Sequence, residues 1–125
     1  MRDTAKQGKD PLDFEKNSEI EEIREAIRRI CADFPDEYWR EKDDAHEFPW
    51  GFYEKMAEGG WIGIAIPESF GGGGRGITEA SVILEEIAAS GAAMNGCSAI
   101  HLSIFGMEPV RKYGSPELVA DVLPR

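Results

Sequence analysis

The sequence predicts an all-α fold, an irregular bundle of about six helices. Three observations predict it. Apolar residues recur at spacings of three and four along most of the chain, the period of a helix face. Glycine and proline fall at the ends of those stripes and rarely inside them. No pair of alternating runs flanks a hairpin turn. The chain has 125 residues and a net charge of −10. That length is at most one domain with a fair core.

Residues 1–17 form a polar lead-in that carries acids and lacks an apolar stretch, so it is neither a secretory signal nor a transit peptide. Ser18 opens the first helix, with Glu21 completing a capping box. Ile20, Ile23, Ile27, Ile30, Cys31 and Phe34 make its apolar stripe, and Pro35 stops it. Asp36 to Glu47 follows with six acids and two bases, a short helix with a solvated acidic face. Asp43, Asp44, His46 and Glu47 cluster there, but their spacing matches no metal-ligand arrangement. Phe48-Pro49 starts a third helix, whose apolar side is Trp50, Phe52, Tyr53, Met56 and Ala57.

Gly59-Gly60 reads as a helix stop. Trp61, Ile62, Ile64 and Ile66 then suggest a buried extended segment, ended by Pro67. Eight of the 14 glycines lie between Gly59 and Gly76. The run Gly71 to Gly76 lacks the Lys-Ser/Thr pair of a P-loop and the spacing and βαβ setting of a dinucleotide fingerprint. A turned connection is the reading it supports. Thr78 is the expected N-cap of a helix over Glu79 to Ser90, buried through Val82, Ile83 and Ile87, with Ala80 and Leu84 beside them. Gly91 ends it. A helix from Met94 to Phe105 is nearly all apolar or small, which predicts burial over most of its surface. Gly106 to Tyr113 and Glu117 to Leu123 close the chain, the latter capped by Ser115-Pro116.

The charge argues against a nucleic-acid or anionic-membrane partner. No apolar run is long enough to span a bilayer. Cys31 and Cys97 sit in apolar helical patterns and read as small buried hydrophobes of a reducing compartment. His46 and His101 are the only histidines, and neither has a catalytic partner at a telling spacing. Periodicity and composition alone therefore stop at an acidic helical domain.

Four stretches carry a resemblance. Trp39-Arg40-Glu41-Lys42-Asp43-Asp44 with Glu47-Phe48-Pro49 is one. Gly60-Trp61-Ile62-Gly63-Ile64 leading to Pro67-Glu68-Ser69-Phe70-Gly71-Gly72 is the second. Val82-Ile83-Leu84-Glu85-Glu86-Ile87-Ala88 is the third. The last is Ile100-His101, Phe105-Gly106, Arg111-Lys112-Tyr113-Gly114 and Leu123-Pro124. Their order and spacing resemble the N-terminal domain of the acyl-CoA dehydrogenase family, over residues 18–125. The segment Phe105 to Ser115 departs from the family pattern by a second glycine near its usual Gly-Thr-Glu-Glu turn. In the family a middle β-domain and a C-terminal helical domain follow, and neither is in this sequence.

The resemblance implies α,β-dehydrogenation of an acyl-CoA thioester with FAD as cofactor. A base takes the α-proton and the flavin takes the β-hydride. Most FAD contacts and the catalytic glutamate belong to the later domains, so this chain alone is expected to be inactive. The N-terminal domain walls the acyl pocket from one side. Ser98, His101, Leu102 and Phe105 share one helix face and are the expected acyl-chain lining, with plain packing as the alternative. Glu85 and Glu86 are expected to be structural, pairing with a basic residue of a neighbouring domain. Ile20, Ile23, Phe52 and Met56 would leave an apolar patch for an electron transfer flavoprotein. A homo-oligomer in the cytoplasm, or in the mitochondrial matrix of a eukaryote, is implied as well. An acyl-CoA oxidase or flavin monooxygenase of the same fold, and a non-catalytic helical interaction module, are the other readings.

Overall fold

The computed structural model describes residues 18–124. The polar lead-in lies outside the described residues. Seven α-helices and one 3-10 turn follow in order: α1 Ser18–Ala32, α2 Asp36–Ala45, α3 Trp50–Glu58, the turn Glu68–Phe70, α4 Ile77–Ala89, α5 Ala93–Gly106, α6 Glu108–Tyr113 and α7 Pro116–Val122. There is no strand among the described residues. The chain is already helical at Ser18, so the cap position lies outside the described residues.

Helix α4 is the centre of the bundle. It packs on α1 along one side and on α5 along the other. Ile23, Ile27 and Cys31 of α1 meet Ala80, Val82, Ile83 and Ile87 of α4 in one apolar cluster. Ile100 and Ile104 of α5 and Phe52 and Met56 of α3 complete it. The close approach of α5 to α4 requires Gly96. A Cβ there would stand 2.6 Å from Ala92 Cβ and 2.9 Å from Ile87 Cγ2.

An aromatic group closes the end where α1, α2 and α3 meet. Trp39 lies 4.9 Å from Phe52 and 5.1 Å from Tyr38, ring centre to ring centre, in edge-to-face geometry. Its indole N–H donates to the Phe34 carbonyl at 3.0 Å, so burial leaves no polar atom unpaired. His46 ends α2 in the left-handed region at φ 55°. Helix α3 ends as the glycine pair predicts. Gly60 takes φ +76°, Trp61 N–H donates to the Met56 carbonyl and Gly60 N–H to the Ala57 carbonyl, a Schellman stop.

Three local expectations are corrected. Trp50 is 61% exposed and stays outside the core, its ring 4.6 Å from that of the exposed Phe48 and 5.9 Å from that of Tyr53, centre to centre. Residues 61–66 are not extended. They form successive turns, with Ile64 N–H bonded to the Trp61 carbonyl and Ile66 N–H to the Gly63 carbonyl. Helix α4 begins two residues before Glu79. Gly76 is its N-cap, and the Glu79 carboxylate accepts from the Gly76 N–H at 3.0 Å. At the far end, Ser115 does cap α7, its hydroxyl accepting from Leu118 N–H.

Candidate functional site

Helix α5 carries the residues the sequence singles out. Its inward face is Gly96, Ala99, Ile100 and Ile104, all buried against α4 and α3. Its outward face is Met94, Ser98, His101, Leu102 and Phe105. Met94 is 77% exposed and Leu102 71%. Ser98 and His101 are exposed and Phe105 is half-buried. The expectation that this helix is buried over most of its surface therefore fails within this chain. Its apolar composition serves two opposite faces, and only one is covered.

Phe105 links that face to a groove of about 630 Å3. Ile104, Ile77 and Ala65 supply apolar lining, and Arg75 and Arg111 line it as well. Ser98, His101 and Leu102 do not line the groove. They lie on the open surface beside it. His101 and Phe105 touch ring to ring, centres 5.5 Å apart and planes tilted by 50°. Both arginines are paired, Arg75 with Glu19 at 2.5 Å and Arg111 with Glu108. The sequence reading missed both arginines. The one signal for Arg75 is its place inside the glycine run.

The glycine loop offers no anion cradle. Its N–H groups are used by the facing turn: Gly73 to the Gly63 carbonyl, Gly74 to Ile66, Arg75 to Ile64 and Gly72 to Pro67, at 2.9 to 3.2 Å. Glycine is required because the two backbones touch. A Cβ on Gly72 would collide with the Ile66 carbonyl, and one on Gly73 would stand 2.9 Å from the Ile64 oxygen. With these donors spent, the backbone of the glycine loop does not fit the pyrophosphate of FAD. Among the described residues no three His, Cys, Asp or Glu side chains group as metal ligands. Glu47, in the acidic run, pairs with Lys42 at 2.8 Å.

A second cluster joins α1 to α4. Glu86 is only 7% exposed. It accepts from Arg24 at 2.6 Å and from both the Nε and Nη2 of Arg28 at 2.7 and 2.8 Å. Glu85, exposed, takes the other arm of Arg24 at 2.8 Å. Burial pushes the Glu86 carboxyl up, but the hydrogen bonds from Arg28 and Arg24 outweigh it and hold the group below its ordinary value. The glutamate pair is thus structural, as expected. Its basic partners come from this domain's own first helix, not from a neighbouring domain.

These features have a family. A sequence profile described as "Acyl-CoA dehydrogenase, N-terminal domain" matches residues 17–125. The chain belongs to the acyl-CoA dehydrogenase family. It is similar to the acyl-CoA dehydrogenase FadE12 of Mycobacterium tuberculosis, 33% identical over 65% of this chain and 21% of that one. It is also similar to the acryloyl-CoA reductase (NADH) of Anaerotignum propionicum, 32% identical over 91% of this chain and 28% of that one. The 3-sulfinopropanoyl-CoA desulfinase of Variovorax paradoxus is 32% identical over 60% of this chain and 18% of its own length. The chain thus spans between 18% and 28% of these relatives. No solved structure matches it.

Within this acyl-CoA dehydrogenase N-terminal domain, the residues foreseen as an apolar patch for an electron transfer flavoprotein do not form one. Ile23 is 7% exposed, Phe52 and Met56 are fully buried, and Ile20 is half-buried against the same core. Ile23, Phe52 and Met56 are the centre of the core, where the stripes of α1 and α3 meet. No helix among the described residues is long and apolar enough to cross a membrane.

Proposed function

We propose that this domain forms one wall of the acyl-chain cavity in an FAD-dependent acyl-CoA dehydrogenase, which oxidises the α,β bond of an acyl-CoA thioester. Ser98, His101, Leu102 and Phe105 are the residues set against the acyl chain. The observation that supports this is the bare outward face of α5. It is a largely apolar strip with Leu102 71% exposed, in a domain whose family is named for acyl-CoA. An apolar strip of this kind gains by taking an alkyl chain out of water, by about 0.8 kcal/mol per methylene.

In this reading the chain excludes water and fixes acyl length, and the chemistry proceeds on groups held outside the described residues. FAD belongs among them, since the glycine loop's N–H groups are spent within the fold. The names of the relatives span a dehydrogenase, a reductase and a desulfinase, each acting on a CoA thioester by its name or family. Electron transfer flavoprotein as acceptor, a homo-oligomeric assembly and a cytoplasmic or matrix setting belong to the same proposal and rest on the family.

The test is Leu102→Trp in the flavin-loaded enzyme. An indole on this wall shortens the cavity, so flavin bleaching by long acyl-CoAs weakens while short ones still react. Equal rates with every chain length would reject the wall assignment.

A further inference from the structure

We propose that His101, with Ser98 one turn before it, makes this wall selective for acyl groups that carry a hydrogen-bond acceptor, a carboxylate in the clearest case. The inference rests on the pocket-wall reading above and names its substrate class.

The outward face of α5 has five side chains, of which Met94, Leu102 and Phe105 are apolar. A wall shaped for a plain alkyl chain would be apolar throughout, because a hydrogen-bonding group buried without a partner is unfavourable. Ser98 and His101 break that rule at its centre. Neither has a hydrogen-bond partner among the described residues. The His101 ring lies against the tilted Phe105 ring, centres 5.5 Å apart, on the exposed side of the helix. Ser98 and His101 are three residues apart, neighbours on the helix surface, so both reach one ligand group. When an acyl chain covers the face and water leaves, an oxygen on that chain is the acceptor that satisfies both. A carboxylate offers the most lone pairs to an imidazole N–H and a serine hydroxyl. A site with buried donors discriminates strongly against an analogue that lacks the acceptor.

The experiment uses two non-reacting thioether analogues of acyl-CoA of matched length, one ending in a methyl group and one in a carboxylate. Their dissociation constants are measured by calorimetry on the flavin-loaded enzyme. The wild type favours the carboxylate analogue, and His101→Leu lowers that preference about tenfold. His101→Gln, which keeps an N–H donor, restores part of it. The position is exposed, so neither variant disturbs the core. If His101→Leu leaves the preference unmoved while Leu102→Trp weakens both analogues, selection by His101 is overturned and the wall reading stands. If neither variant changes the binding of either analogue, the wall reading falls and this inference falls with it.

Discussion

Replacing Glu86 by glutamine tests the joint between α1 and α4. The carboxylate is 7% exposed and receives three charge-assisted hydrogen bonds of 2.6 to 2.8 Å, two of them the fork of Arg28. Glutamine keeps the shape and one acceptor but removes the charge. It leaves Arg24, whose side chain is 20% exposed, facing a neutral group. Breaking a fully buried pair costs about 3–5 kcal/mol. Water reaches the Arg28 side, which lowers the expected loss to about 2–3 kcal/mol. For a chain of this size that is a fall in Tm of about 8–12 °C. Glu85→Gln is the control, because Glu85 bonds the same arginine from the exposed side, where an ion pair contributes under about 1 kcal/mol. Thermal and urea denaturation followed by circular dichroism read both. A Tm within about 2 °C of wild type for Glu86→Gln, or an equal drop for Glu85→Gln, would refute the assignment. The pH profile adds a second reading. Glu86 is held below its ordinary value of 4.5, so its contribution is complete at neutral pH and is lost as pH falls below that value. Glu86→Gln should flatten that acid limb.

Four further outcomes are expected. Gly72→Ala forces a methyl group into the Ile66 carbonyl and should cost about 3 kcal/mol. Gly71→Ala meets open space and strains only a φ of +85°, so it should cost about 1 kcal/mol in the same urea titration. Phe52→Ala empties the site where the aromatic group meets the core and should cost about 3–5 kcal/mol by the same measurement. Cys31 and Cys97 both have thiols pushed up by burial. Alkylation at neutral pH should therefore be slow in the folded chain, slower at the more buried Cys31, and should become equal in urea.

The helices of this fold were legible because local rules and tertiary packing agree. Ile23 and Ile27 sit at helical spacing and are buried where that spacing points. Pro35 and Gly60 stop helices for backbone reasons that operate within a few residues. Where the deciding partner is distant in sequence, the reading failed. Residues 61–66 look extended, but they are turns because the glycine run folds back and takes their carbonyls. Arg24 and Arg28 stand about 60 positions from the glutamates they hold, beyond any local pattern. A signal was present, since Glu86 follows Val82 and Ile83 at the spacing of the buried stripe. A carboxylate there needs a cation, and the two arginines lie four apart on one helix. Composition predicts burial over most of the surface of α5. Composition does not distinguish a helix covered on both faces by its own chain from one that keeps a face for something else.

Photolabelling tests that kept face most directly. An acyl-CoA carrying a diazirine near the end of its acyl chain is irradiated on the flavin-loaded enzyme, and the modified peptides are mapped by mass spectrometry. The account predicts adducts within Ser98 to Phe105, on the outward side chains of α5, suppressed by excess unlabelled acyl-CoA. Labelling confined to α1, α2 and α3, or to regions outside this domain, with α5 unmodified, would contradict it.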